Sequence, residues 1–335
     1  MKFLKTTAGI IIILIVLFAL GYWYLASKSY RPNKEMTFGI TYSDKFAREL
    51  GLDVKKTYTD LLDGLKVKYV RIPTYWDEIE YREGKYNWDY VDFFMNEAAK
   101  RDVKVIMVLG RRQPRWPECH EPAWTMAISE QEMPAKEKLF VSETVKRYRE
   151  NPALEMWQVE NEPFLNLFGE CLNMPEQNVK DLVEMVKGLD KKNLVMITAS
   201  GELSTWFKEI YIGDVFGTTM YRYVYNKYIG YWHYWFMPAS FYRVKAAFWN
   251  KPLETAYIAE LQAEPWAPGM SLAATPLDVQ TKTMNAGYFK DNVEYAKRTG
   301  FYRSYLWGAE WWYWLKNEKG DASMWQAAVE LFSQQ

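Results

Sequence analysis

The sequence predicts an α/β fold: one closed (β/α)8 barrel, a TIM barrel, preceded by one N-terminal transmembrane helix. Three observations predict it. From Phe38 onward, eight short apolar runs alternate with helical stretches. The first run, FGITYS, lacks the G-x-G-x-x-G turn of a doubly wound dinucleotide fold, and no P-loop follows it. Finally, the chain opens on an apolar segment from Ala8 to Ala26 that contains no charge.

That opening segment lies in the range of about 17–25 residues that cross a bilayer as a helix. A cleaved signal peptide has a shorter apolar centre, about 7–15 residues, and small residues before the cut. Here the exit is bulky, Tyr22-Trp23-Tyr24, and aromatics of this kind suit a membrane–water interface. The expected organisation is an uncleaved signal-anchor over residues 1–27, a polar stalk over 28–36 and the barrel over 37–335. Lys2 and Lys5 place the N-terminus in the cytoplasm by the positive-inside rule. The barrel is then extracytoplasmic. Lys28, Arg31 and Lys34 weaken that asymmetry, because the far side is basic too.

The eight expected strands are residues 38–43, 69–75, 104–110, 154–160, 193–200, 214–221, 255–261 and 302–308. They are short and rich in Val, Ile, Tyr and Thr, as strands buried on both faces of a parallel sheet are. The intervening stretches are amphipathic. In residues 88–102, Val91, Phe94, Met95 and Ala98 fall at i, i+3, i+4, i+7. Residues 174–190 begin near a proline and then repeat Val179, Leu182, Val183 and Val186. Residues 278–300 end in Lys297, Arg298 and a Gly300 stop. Strand–helix alternation implies βαβ units, and eight of them in about 300 residues fit a (β/α)8 barrel.

Composition narrows the function. Lys+Arg and Asp+Glu are both 42, so there is no basic field to hold nucleic acid. Two His and two Cys argue against a His-rich or Cys-rich metal centre, and no metal or cofactor is expected. The 16 Trp, 25 Tyr and 17 Phe are the unusual feature. Aromatic faces fill cores, stack on flat apolar surfaces such as sugar rings, and anchor at membrane interfaces. The stretch 221–242 is nearly saturated with them. It reads as a glycan-stacking or membrane-dipping loop, or as an insertion with its own aromatic core.

In such a barrel the chemistry sits at the C-terminal strand ends. The second strand carries Arg71 and runs on to Trp76; the fourth ends Glu160-Asn161-Glu162-Pro163; the sixth ends at Tyr221. The seventh reaches Glu260, and the eighth Trp307, with Glu310 beyond it as a loop acid. Glu162 and Glu260 therefore face each other across the mouth. Cleavage of a glycosidic bond needs such a pair, one acid protonated for the leaving oxygen and one ionised to attack or to activate water. Asn161 offers a neutral amide for a sugar hydroxyl. Arg71 and a tyrosine hydroxyl from the sixth strand hold Glu260 by charge-assisted hydrogen bonds. Glu264, before Pro265-Trp266, is the substitute nucleophile. Cys119 and Cys171 lie in the loops after strands three and four, neighbours in a barrel; they are expected to pair as a disulfide in an oxidising compartment, the alternative being two unpaired thiols.

Trp157-Gln158-Val159-Glu160-Asn161-Glu162-Pro163 resembles the fourth strand of the clan A glycoside hydrolases, the cellulase-like retaining glycosidases. The resemblance implies that Glu162 is the acid/base and Glu260, in YIAELQAEPW, the nucleophile. It further implies that Arg71, in YVRIPTYW, supports the nucleophile and that Trp307 lies beneath the sugar. Trp76, Asn161, Tyr221 and Trp266 complete the expected substrate-binding set. Gln158, where the clan has Glu, is expected to face away. The clan's histidines near strands three and six are missing: the sixth strand reads Thr219-Met220-Tyr221, and His120 lies some way past the third tip. This leaves the branch and the sugar open. The expected function is a retaining glycoside hydrolase acting on β-linked oligo- or polysaccharide, with the bilayer as a partner through the N-terminal helix. The alternatives are a membrane-anchored glycan-binding barrel without turnover, or a transglycosylase on cell-envelope or lipid-linked glycan.

Overall fold

The structure, a computed structural model, describes residues 2–27, 35–171, 174–268 and 271–335. After helix α1 (Lys2–Ser27), the chain runs β1 (Thr37–Thr41), α2 (Asp44–Glu49), α3 (Val54–Leu65), β2 (Tyr69–Pro73), α4 (Trp76–Ile79), α5 (Asp89–Lys100) and β3 (Lys104–Leu109). It continues α6 (Met133–Tyr148), β4 (Leu154–Val159), α7 (Glu176–Leu189), β5 (Leu194–Ala199), β6 (Val215–Met220), β7 (Tyr223–Asn226), β8 (Gly230–His233) and α8 (Ser240–Phe248). The last part is β9 (Ala256–Gln262), α9 (Leu277–Gln280), α10 (Ala286–Lys297), β10 (Arg303–Trp307), α11 (Ala309–Glu318) and α12 (Ser323–Ser333).

Eight strands close in the order β1-β10-β9-β6-β5-β4-β3-β2, every pair parallel. All eight expected strands are there, and β9 and β10 are the barrel's seventh and eighth. The main core lies between strands and helices, where Val91, Phe94, Met95 and Ala98 of α5 and Val179, Leu182, Val183 and Val186 of α7 are buried. A second cluster, Ile106, Met156, Met196, Val215, Ala259 and Tyr305, fills the barrel interior. Like any barrel of this size, it is packed rather than hollow. That plug leaves only the strand ends for a site.

Two parts differ from expectation. The aromatic stretch contains an antiparallel hairpin, β7 with β8. Its Tyr, Val and Trp residues suit a pleated ribbon, and Gly230 takes the turn at φ 74°. Tyr223 stacks on His233 at 4.1 Å and on Tyr288 at 4.3 Å. Tyr228 and Ile229 in its turn, and Trp235 just past β8, stand exposed, so the hairpin is packed at its base and apolar at its tip.

The expected transmembrane segment coincides with α1, whose side chains are described for residues 9–24. Among the described residues, no helix is long and apolar enough to cross a membrane. The described stretch is shorter than the roughly 20 residues a span needs. Its side chains from Ile10 to Phe18 are all at least half exposed. Of the expected stalk, only Glu35 and Met36 fall within the described residues.

Candidate active site

Arg71 is fully buried at the centre of the mouth and reaches across to β4, the turn after it, and β9. Its Nη1 donates to Glu260 Oε1 at 2.9 Å, its Nη2 to Asn161 Oδ1 at 2.7 Å and its Nε to Gln158 Oε1 at 2.7 Å. The Tyr221 hydroxyl donates to the other Glu260 oxygen at 2.8 Å. Glu260 is thus an ion pair with Arg71 and holds a second donor. Contrary to the expectation from the sequence, Gln158 does not face away. It points into the barrel because alternation along β4 puts it on the same side as Met156, and its amide also donates to Glu160 O at 2.8 Å.

Past β4 the chain turns sharply. Glu160 and Glu162 both take left-handed backbone angles, φ 56° and 46°, which cost a non-glycine residue of order 1–3 kcal/mol each. The turn is held on both sides. Glu160 N donates to Leu109 O and Asn161 N to Arg112 O, both at 2.8 Å, while Glu162 N donates to Thr198 Oγ1 at 2.9 Å. The Glu160 carboxylate lies under the next loop and accepts from Arg112 N at 2.7 Å. Gly110, at φ 103°, makes room for it, since a Cβ there would run into that carboxylate. Glu160 is therefore structural, and the turn aims Glu162 at the mouth.

Glu162 accepts from the Thr219 hydroxyl at 3.0 Å and, among the described residues, forms no ion pair. Burial raises its carboxyl well above the ordinary carboxylate range, and the charges of Glu260 and Glu118 raise it further. Asn161 does not present a free amide. Its oxygen is taken by Arg71, and its Nδ2 donates to Glu118 Oε2 at 3.1 Å.

The loop after β3 contributes more than its sequence suggested. It carries Arg112 and Glu118, both buried, and Arg115, which is partly buried. The Arg115 guanidinium lies 4.1 Å from the Trp307 ring centre and 3.7 Å from that of Phe46. Both its terminal nitrogens bond Glu264, Nη2 to Oε2 at 2.9 Å. Trp307 adds its own N–H to Glu264 at 2.8 Å. Glu264 is thereby committed to a structural ion pair and is no substitute nucleophile. Trp307 is nearly buried, with Arg115 on one face, so the expected sugar platform is covered there. Glu310, expected as a loop acid, is fully buried at the start of α11. It accepts from Ser43 N, and burial pushes it up to about 7.

Trp76 does not line the mouth. It is fully buried against Phe140, the rings stacked 5.5 Å apart, and its N–H bonds Glu80 at 2.6 Å. The strand had already ended at Pro73, and α4 carries Trp76 into the helical layer. Trp266 does belong to the rim. It meets Tyr221 edge-on at 5.3 Å and Phe168 at 5.7 Å, and Phe168 in turn meets Trp116 at 5.8 Å. These rings form an aromatic wall leading to Glu260. His120 is tied to Lys45 at 2.9 Å and packs on Tyr75, away from the pair.

Cys119 and Cys171 form a disulfide with Cα atoms 5.2 Å apart, closing 52 residues of sequence. It ties the loop after β3 to the loop after β4, beside Glu118 and Phe168. Chain-entropy arguments put the worth of such a closure at about 2–4 kcal/mol. The Cys119→Ser, Cys171→Ser double variant is expected to lose that much in a urea melt. An unchanged midpoint would contradict it.

Reading the sequence missed Glu118, Arg112, Arg115, Thr198 and Thr219. The signal for the first three was present in GRRQPRWPECHEP, where three arginines and two glutamates follow a strand tip. The two threonines follow β-typical patterns and carry no signal of their own.

The family model for cellulase (glycosyl hydrolase family 5) matches residues 34–302. No curated protein matches the sequence. Among solved structures, GH5_18 from Streptomyces cattleya in complex with GlcNAc is similar with a TM-score of 0.58 at 13% identity, over 82% of this chain and 70% of that one. A GH5_18 variant from Bifidobacterium longum subsp. longum, in complex with Manβ1-4GlcNAc, gives a TM-score of 0.63 at 13% identity, over 89% and 78%. Xylanase 10B from Thermotoga petrophila, in complex with xylobiose, gives 0.58 at 13% identity, over 90% and 94%. At such identity the likeness concerns the fold alone.

Proposed function

The chain belongs to the cellulase family, glycosyl hydrolase family 5, and from that premise we propose a retaining mechanism on a β-linked glycan with Glu162 as acid/base and Glu260 as nucleophile. The chain is a glycoside hydrolase; stereochemistry and residue roles are our reading. One observation carries it: the two glutamates have opposite surroundings. Glu260 is paired with Arg71 at 2.9 Å, whereas Glu162 is buried with no ion-pair partner among the described residues, its carboxyl raised by burial. Two carboxyls in such unlike surroundings, one ion-paired and one buried without a cation bonded to it, suit the two roles that glycoside cleavage requires.

In the first step, Glu162 donates its proton to the glycosidic oxygen while a Glu260 oxygen attacks the anomeric carbon. The bond to the leaving sugar breaks and a glycosyl ester forms on Glu260. In the second, Glu162, now a carboxylate, takes a proton from water, whose oxygen displaces Glu260. The wall of Trp116, Phe168 and Trp266 is placed to stack on sugar rings. The expected carboxyl separation is about 5–5.5 Å. Proton NMR of an aryl β-glycoside reaction tests it. The β-anomer should form first, and a 2-fluoro sugar should label Glu260. An α-anomer as first product would refute retention.

We also propose that α1 anchors the barrel to a membrane, outside the cytoplasm. The support is the charge-free run Ala8–Ala26, the exposed apolar side chains of α1, and the exposed Tyr228 and Ile229 at the hairpin turn with Trp235 just past it. A disulfide also suits an oxidising compartment. The full-length protein is expected in the membrane pellet after alkaline carbonate extraction, with its barrel open to protease added outside intact cells. Release into the carbonate wash would sink the anchor.

A further inference from the structure

Glu118 is an ionisable group beside the catalytic carboxyls for which this mechanism has no part. It is buried in the loop after β3, next to the disulfide-bonded Cys119. Its Oε2 accepts from Asn161 Nδ2 at 3.1 Å and stands 3.8 Å from Arg112 Nε. That nitrogen is buried and makes no hydrogen bond, so Arg112 offers its charge to the carboxyls without being bound to either.

The charge balance of the pocket is uneven. Glu118, Glu162 and Glu260 share it with two guanidiniums, Arg71 of β2 and Arg112 of the β3 loop. Arg71 is committed to Glu260 on β9 at 2.9 Å, and the Tyr221 hydroxyl after β6 faces the same carboxylate. Two carboxyls, Glu118 and Glu162, then remain opposite Arg112 alone. Two buried anions against one cation leave a charge uncompensated, so the pair retains a proton and titrates as a unit. The donors decide its location. The Asn161 amide and the guanidinium of Arg112, 3.8 Å away, stabilise an anion on Glu118, whereas Glu162 has the Thr219 hydroxyl and a weaker pull from Arg112.

We propose that Glu118 is a positioning residue for the acid: it ionises first, and its negative charge then holds the proton on Glu162 toward alkaline pH, while its oxygen fixes the Asn161 amide. This rests on Glu162 being the acid. Directions of titration agree. Burial pushes Glu118 up to about 8, with Glu260 adding and Arg112 and the Asn161 amide opposing. Glu162 lies well above its usual range, with Glu118 among the charges that raise it.

The test uses the full chain and two readouts. In the first, kcat/KM for an aryl β-glycoside is followed against pH. Glu118→Gln keeps an oxygen for Asn161 but removes the charge, and the alkaline limb is expected to move acidward by about one unit or more. Glu118→Asp keeps the charge and should restore the limb. Loss of kcat/KM at every pH with the limb unmoved would make Glu118 merely structural and overturn the proposal. The second readout needs no turnover. The protonated-carboxyl infrared band that disappears in Glu162→Gln is titrated with and without Glu118→Gln. An acidward shift supports the coupling even if no glycoside reacts, in which case it is the acid role of Glu162 that fails. A band that does not shift overturns the proposal. Should Glu118→Gln not fold, the native enzyme decides: its Glu162 band must survive above pH 8, and its loss by pH 6 overturns the proposal.

Discussion

Glu260→Ala is expected to abolish turnover, lowering kcat on an aryl β-glycoside by about 10^5–10^6, the scale on which a missing covalent nucleophile is felt. The size follows from position. Glu260 is the carboxylate held between Arg71 at 2.9 Å and the Tyr221 hydroxyl at 2.8 Å. No neighbour can take its place, because Glu264 is bound to Arg115 and Trp307. The change also strands Arg71, whose remaining partners are the amides of Gln158 and Asn161. Breaking one side of a buried pair costs about 3–5 kcal/mol, so a thermal melt belongs beside the assay. Azide should restore product in the space the side chain leaves, as an α-glycosyl azide. Turnover within tenfold of wild type would rule Glu260 out as nucleophile.

Glu162→Ala is the second large effect, with a different signature. General acid catalysis is worth about 10^2–10^4, or about 3–5 kcal/mol of barrier. The loss should be greatest for leaving groups that need a proton. It should be small for a dinitrophenyl glycoside, which leaves without one, and azide should then yield a β-glycosyl azide. The pH dependence has a definite sign. Burial raises the Glu162 carboxyl, so the wild-type acid stays loaded to higher pH than an ordinary carboxyl and fails only as pH rises through that raised range. The variant should lose the alkaline limb of kcat/KM. A limb that persists would assign it to another group.

Stability should follow the same protons. Glu162, Glu118 and Glu160 are all raised, chiefly by burial. The folded protein therefore keeps protons that the unfolded chain releases near the ordinary carboxylate range. Their contribution is full below that range and is lost as pH rises through the folded values.

Much of the site was legible because barrel strands present their tips to one end. Once residues 154–160 and 255–261 read as the fourth and seventh strands, Glu162 and Glu260 had to meet there. Arg71 and Tyr221 were legible for the same reason. Trp76 was misread because three residues past the end of β2 the chain already belongs to the next helix, α4. Trp307 was half-read: it lies at the mouth, but no local pattern shows that Arg115, far away in sequence, covers one of its faces. The hairpin within 221–242 was hidden by composition, since aromatic residues serve cores, strands and surfaces alike.

The sequence by itself determined the barrel, the place of the two acids and the apolar leader, because each is written in local order: run lengths, periodicity and position at a strand tip. Only the tertiary structure decided which carboxylate is paired, which is left to hold a proton and which loop closes over them. Those outcomes depend on hydrogen bonds between residues such as Arg71 and Glu260, 189 positions apart. The physical reason is that a charge is set by what lies within a few ångströms of it, and in a closed barrel those neighbours come from every strand at once.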